Sequence, residues 1–258
     1  GLGDVYKRQN FNSQPNYVAK IGQPMGMIYG YIYEGTYKYD DFDKSGSSYT
    51  LKGNIPHYVS ESNTQPGMPK YKDLNGDGII DTNDRTMIGR GLPIHTGGFT
   101  NNFEYKGFDL SVFFQWSYGN DVLNANRLFF DSGFQKKREL NQYASYTDRW
   151  TPENPNSNIP AATNSSSNLV ISSRVVEDAS FLRLKTVTLG YTVPKTFLKK
   201  YKIDNARLYV AAQNLWTITG YSGYDPEVSI RSGGLTPGLD FSSYPRALSV
   251  SFGINLGF

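Results

Sequence analysis

The 258-residue chain contains no cysteine, so it builds neither a disulfide framework nor a thiolate metal site. No run of about 18 apolar residues occurs, which excludes a helical membrane span. Histidine is nearly absent. His57 and His95 stand alone, without His, Cys or carboxylate partners at metal-ligand spacing, and read as loop histidines. The formal net charge is only +3, and the basic residues are scattered apart from Lys195, Lys199, Lys200 and Lys202, which argues against a nucleic-acid partner. A phosphate-binding glycine loop and a nucleophile elbow are both missing. A glycan hydrolase would need two carboxylates across a cleft. Asp225 and Glu227 come nearest to such a pair, but a proline-containing turn accounts for them. The chain is therefore not read as an enzyme.

What is present favours strands. Tyr occurs 20 times, Phe 15 times and Gly 26 times, a mixture suited to pleated surfaces punctuated by turns. The clearest segment is the last one. Leu248, Val250, Phe252, Ile254, Leu256 and Phe258 alternate with Ala247, Ser249, Ser251, Gly253, Asn255 and Gly257. One face is wholly apolar and the other small or polar, as in a strand whose apolar side meets lipid. Leu110, Val112, Phe114, Trp116 and Tyr118 form a second row, and Leu208, Val210, Ala212, Trp216 and Ile218 a third, broken by Asn214. Phe99, Phe103 and Tyr105 form a fourth, and Met25, Met27, Tyr29, Tyr31 and Tyr33 a fifth. Between Phe181 and Val193 the phase changes, from Leu182 and Leu184 to Val187, Leu189, Tyr191 and Val193; a bulge near Lys185 or Thr186 would reconcile the two halves.

Connections between the six expected strands alternate in length. Residues 36–94, 119–178 and 220–245 are long links, whereas Lys106-Gly107 is a tight turn and 194–205 a short link. Long loops on one side and brief turns on the other are the rule of outer-membrane barrels. With the C-terminus on the periplasmic side, the long loops are extracellular. Trp116, Tyr118 and Trp216 then fall in one aromatic girdle, Tyr191 and Phe258 in the other. The expected class is all-β, an antiparallel transmembrane β-barrel. Six strands are too few to enclose a large solute, so the expectation is a fragment of a larger barrel. The first residues, Gly1 to Gln9, carry neither a strand pattern nor an apolar leader and read as a sequence-assembly scar, leaving residues 10–258 as barrel.

Seven stretches carry a family resemblance. They are IGQPMGMIYGYIYEG (Ile21 to Gly35), KYKDLNGDGIIDTNDRTMIGRGLP (Lys70 to Pro93), TGGFTNNFEYKGFDLSVFFQWSYGNDV (Thr96 to Val122), RWTPENP (Arg149 to Pro155), VVEDASFLRLKTVTLGYTVP (Val175 to Pro194), ARLYVAAQNLWTITGYSGYDPEV (Ala206 to Val228) and the closing SFGINLGF. In this order the chain resembles the C-terminal region of SusC/RagA-type TonB-linked outer-membrane transporters. The resemblance implies the last strands of a barrel of about 22, with the N-terminal strands and plug missing here. It also implies a SusD-like surface lipoprotein as lid, energy from TonB through the missing N-terminal region, and oligosaccharide or peptide cargo. The loops at Asp121 to Trp150 and Tyr221 to Tyr244 are the candidates for cargo or lid contact. A rival reading is a secreted carbohydrate-binding β-sandwich stabilised by Ca²⁺.

The segment DLNGDGIIDTND follows the EF-hand loop pattern. Asp73, Asn75 and Asp77 take positions one, three and five, with Gly78 at the sharp turn. Ile79 offers its carbonyl, Asp81 stands at nine, and Asp84 replaces the usual Glu at twelve. Hard oxygen ligands at alternate positions suit Ca²⁺. Pro69 upstream leaves no room for an entering helix, so this would be a lone loop. A metal-free turn rich in Asn, Asp and Gly is the other reading.

Overall fold

The computed structural model describes residues 7–11, 14–133, 141–163, 169–230 and 233–258, with side chains from Asn16 onward. The Asn164 to Asn168 loop tip and the first six residues of the supposed scar lie outside the described residues. The chain divides into two compact units, one of Gly1–Leu92, Asp121–Glu177 and Val228–Ser243, the other of Pro93–Asn120, Asp178–Glu227 and Tyr244–Phe258.

The second unit is a five-stranded antiparallel sheet of β1 (His95–Tyr105), β2 (Phe108–Tyr118), β3 (Phe181–Thr192), β4 (Asn205–Thr219) and β5 (Ser249–Gly257). Each strand pairs with its sequence neighbour, in the order β5-β4-β3-β2-β1. The hairpin between β1 and β2 turns on Lys106 and Gly107, both at positive φ, 47° and 84°. Two such residues make the primed turn whose twist matches that of the strands, and glycine takes the second position without strain. The link from β3 to β4 holds a helical turn, Lys195–Leu198, followed by a 3-10 turn, Lys199–Tyr201, and Leu198 is buried.

Register places the sequence rows on one face. Leu110 pairs with Phe103 and Leu189, Leu189 with Val210, and Val210 with Phe252. The next apolar row runs Tyr105, Phe108, Tyr191, Leu208 and Ile254. The expected bulge is present: β3 pairs with β4 through Leu184–Trp216 and Thr186–Gln213, leaving Lys185 outside the register. Opposite it, Asn214 adopts φ 54° and donates to the Ala247 carbonyl, which explains the break in that row.

The apolar face is bare. Phe252 is 83% exposed and Ile254 65%, and Phe103, Phe108, Leu189, Leu208, Val250 and Leu256 are exposed as well. A sandwich would bury these rows under a second sheet; among the described residues of this unit none covers them. The other face carries Asp109, Ser111, Gln115, Arg183, Thr188, Arg207, Gln213, Ser249 and Ser251, the partners in register between the apolar rows. Aromatic rings gather at the two ends of the bare face: His95, Trp116 and Tyr118 at one, Tyr105, Phe108 and Tyr191 at the other.

The first unit has a protein core of its own. Tyr17, Ile28, Leu123, Leu128, Ile171 and Leu239 are almost fully buried together. The Asp121–Asn124 strand lies parallel to Leu239–Asp240. Tyr31, Tyr58 and Tyr71 stack with centroids 5.3–5.6 Å apart beside Ile80, edge-on or tilted as ring quadrupoles prefer. Burial pushes the Tyr31 hydroxyl up to about 12, so the cluster stays neutral.

One expected strand is corrected. Met25 to Tyr33 is not a sixth strand of the large sheet. Met27–Gly30 lies between Gln14–Ala19 and Thr86–Arg90 in a four-stranded sheet of the first unit, and Tyr33 opens a separate strand, Tyr33–Thr36, that pairs with Pro69–Tyr71. Ile28, on the face opposite the expected row, is the fully buried residue, while Met25 is 56% exposed. Alternation fixes that a strand has two unlike faces. Which sheet it joins is decided by long-range partners such as Ile171, whose carbonyl accepts from Tyr31 N–H.

Candidate functional site

The acidic loop folds around its own backbone. The Asp73 carboxylate accepts from Gly76 N–H at 2.6 Å and Gly78 N–H at 2.8 Å. These N–H groups, that of Gly78 foremost, hold Asp73 below the usual carboxylate range. Asp77 accepts from Ile79 N–H and from the Asn75 amide, both at 2.8 Å. Asp81 caps the Thr82–Asp84 turn through Asn83 N–H at 2.7 Å. Asp84, fully buried, closes the loop by accepting from Leu74 and Asp81 N–H, both at 2.8 Å. Ile80 is buried, and Ile79 bridges His57. The loop thus brings Asp73, Asn75 and Asp77 to one turn and sets Asp81 and Asp84 on a second. Among the described residues no three acidic or imidazole side chains converge as a preformed metal cage. Asp73, Asn75 and Asp77 are of the hard-oxygen type that fits Ca²⁺, and each Asp84 oxygen already accepts one backbone N–H.

A second cluster lies on the polar face of the sheet. Arg183, from the middle of β3, has a side chain only 3% exposed. Its Nη2 donates to Asp225 Oδ1 at 2.6 Å, and its Nη1 lies 2.9 Å from Glu227 Oε2. That second contact lacks hydrogen-bond alignment and acts as a charge contact. Arg246 and Lys185 approach the same oxygen at 3.2 and 3.6 Å, and Gln115 donates to the other at 3.3 Å. Asp225 also accepts from Glu227 N–H and Arg246 N–H, at 2.9 and 3.2 Å. Burial alone would raise the Asp225 pKa. The Arg183 hydrogen bond and these two N–H groups overcome it and hold the carboxyl below its usual range. Asp225 and Glu227 are therefore not a free acid pair. With Arg246 they clamp the start and the end of one long connection to β3.

Sequence reasoning passed over Arg183 and Arg246. The available signal was an arginine in the polar phase of a strand, in FLRLK, where desolvation requires a partner. A smaller pair braces the same face, with Arg207 Nε donating to Asp109 Oδ1 at 3.0 Å across Gly190, which leaves room for the contact.

No family model matches the chain. It is 35% identical to TonB-dependent receptor P3 of Formosa agariphila over 96% of this chain and 24% of that protein. It is 28% identical to TonB-dependent receptor SusC of Bacteroides thetaiotaomicron over 78% of this chain and 18% of SusC. A structure of the RagAB peptide transporter superposes with a TM-score of 0.66 at 26% identity, covering 94% of this chain and 24% of that one. The chain belongs to the SusC/RagA-type TonB-dependent receptors.

It spans about a quarter of the length of the first relatives it matches. The site residues proper to the sequence, from Asp73 to Asp84, sit in the first unit, and the ion cluster sits in the second.

Proposed function

We propose that this part of the receptor supplies barrel wall and outer loops for active import across the outer membrane. The observation that carries the reading is the sheet with one face exposed and apolar and the other ion-paired, since only a hydrocarbon solvent makes the first face favourable. The short Lys106-Gly107 turn and the 194–205 link lie on the periplasmic side, and the long connections reach the cell exterior. Those at Asp121 to Trp150 and Tyr221 to Tyr244 contact cargo or a SusD-like lipoprotein lid, and the Arg183 clamp fixes the second of them to the wall. Cargo is an oligosaccharide or a peptide, and TonB supplies the energy through parts of the receptor outside this chain. The Asp73–Asp84 loop takes Ca²⁺ through Asp73, Asn75, Asp77 and the Ile79 carbonyl, with Asp81 and Asp84 completing it; the ion would supply cross-linking of the loop.

This chain carries no cysteine of its own, so single cysteines placed in it report topology once any others in the whole receptor are replaced. In cells carrying the whole receptor, a membrane-impermeant maleimide should label Ser222→Cys from outside and Lys200→Cys only after lysis. Labelling of both in intact cells, or a receptor that stays in the aqueous fraction without detergent, overturns the wall assignment. Uptake of labelled oligosaccharide and labelled peptide by cells with and without the receptor separates the two cargoes. Equilibrium dialysis of the receptor against millimolar Ca²⁺ should show about one ion bound, lost in Asp73→Asn/Asp77→Asn. No uptake by the unmutated protein removes the calcium site and leaves the transport reading untouched.

A further inference from the structure

Lys195, Lys199, Lys200 and Lys202 make the link between β3 and β4 a strongly basic segment. Lys195, Lys199, Lys200 and Lys202 are all exposed, and among the described residues none has a carboxylate within ion-pair distance. Between them Phe197 and Tyr201 are 69% and 68% exposed, while Leu198 anchors the turn. Four ammonium groups interleaved with two bare rings match an interface between anionic headgroups and hydrocarbon.

Beside this link runs a groove of about 610 Å³ on the same sheet. Its walls are two apolar rows, one containing Leu189 and Phe252, the other Phe108, Tyr191, Leu208 and Ile254. Its floor is the backbone of Gly190, Tyr209 and Gly253, whose row points to the opposite face. The second wall is the row next to the link. Thr192 N–H donates to the Gly107 carbonyl and Val193 N–H to that of Ala206, so the chain leaves the sheet directly from this wall. Lys195 follows Tyr191 by four residues, a reach of about 13 Å at strand rise.

We infer that the 195–202 link and this groove form a binding site for an anionic phospholipid, its phosphate held by the lysines and an acyl chain lying between the two rows. The charge of the link selects the headgroup and the apolar walls select the chain; neither feature alone requires a lipid. The groove lies on the face the barrel turns to the membrane, so the rest of the barrel wall would not cover it, and the link leaves the sheet at the groove's edge. The inference rests on the membrane-wall reading proposed above.

The test is native mass spectrometry of the whole receptor from mixed micelles with equal phosphatidylglycerol and phosphatidylcholine. The unmutated receptor should retain phosphatidylglycerol in at least about tenfold preference, given roughly fivefold per lysine near a charged surface. The variant Lys195→Gln/Lys199→Gln/Lys200→Gln/Lys202→Gln should bring the ratio near one while keeping the heat-modifiable mobility of a folded barrel. Glycerol phosphate at millimolar concentration should not displace the lipid. Equal retention of the two lipids by the unmutated receptor, a preference that survives the quadruple substitution, or displacement by glycerol phosphate each overturns the site. A receptor that enters micelles yet shows no preference defeats only this inference, whereas one that does not enter them defeats the wall reading itself.

Discussion

Replacing Arg183 by Met removes the cation on which two carboxylates depend. The Arg183 and Asp225 side chains are 3% and 5% exposed, so water screens their interaction little. Removing one partner of a pair buried in this way costs about 3–5 kcal/mol, chiefly because the remaining charges stay desolvated. At 1.4 kcal/mol per decade, the detached state of the 221–244 connection should become roughly a hundred to a few thousand times more populated. Glu227 N–H and Arg246 N–H, both bonded to Asp225, are built-in reporters of that state. Hydrogen exchange of the intact receptor, read by mass spectrometry over 221–230 and 244–248, should quicken by a comparable factor, up to the limit set by free amides. The neutral variant Arg183→Met/Asp225→Asn/Glu227→Gln should recover much of the protection, since no buried charge is left alone. Unchanged exchange in Arg183→Met, or a neutral variant faster than the single one, refutes the clamp.

Two buried aspartates should respond oppositely to pH. The folded pKa of Asp225 is depressed, so its stabilisation is present above the unfolded value of about 3.9 and fades as pH falls through the folded one; exchange over 221–230 should rise only in acid. Asp131 is raised, first by burial, with Arg174 and Arg127 opposing without prevailing. Its contribution is present at low pH and lost as pH rises through the folded value, so Asp131→Asn should cost less than about 1 kcal/mol at pH 7 in a melting experiment. On β5, Val250→Arg should destabilise folding into detergent or lipid by about 2–4 kcal/mol, because its row with Val112, Val187 and Ala212 runs through the middle of the sheet, with Ser251→Arg costing far less. Equal effects would mean that the faces do not meet different solvents. Gly107→Val should slow or weaken refolding by at least about 1 kcal/mol, because φ 84° is unfavourable for a β-branched side chain; a neutral result would remove the turn argument.

Period-two patterning made β1 to β5, their apolar rows and the Lys106-Gly107 turn legible from the residues alone, and even the phase slip at Lys185, because successive side chains of a strand point to opposite faces. The DLNGDG turn was legible for the same reason, its hydrogen bonds being local. Met25 to Tyr33 showed the same pattern and yet joined another sheet, since alternation does not name the partner strand. The clamp was hidden as well. Arg183 meets Asp225 from 42 residues away and Arg246 comes from a third segment, so only the folded chain puts their charges in one desolvated place. What the sequence by itself determined is which residues share a face. Which face is left bare and which is closed by ion pairs was decided by tertiary structure, because burial and electrostatic pairing depend on distance in space and not along the chain.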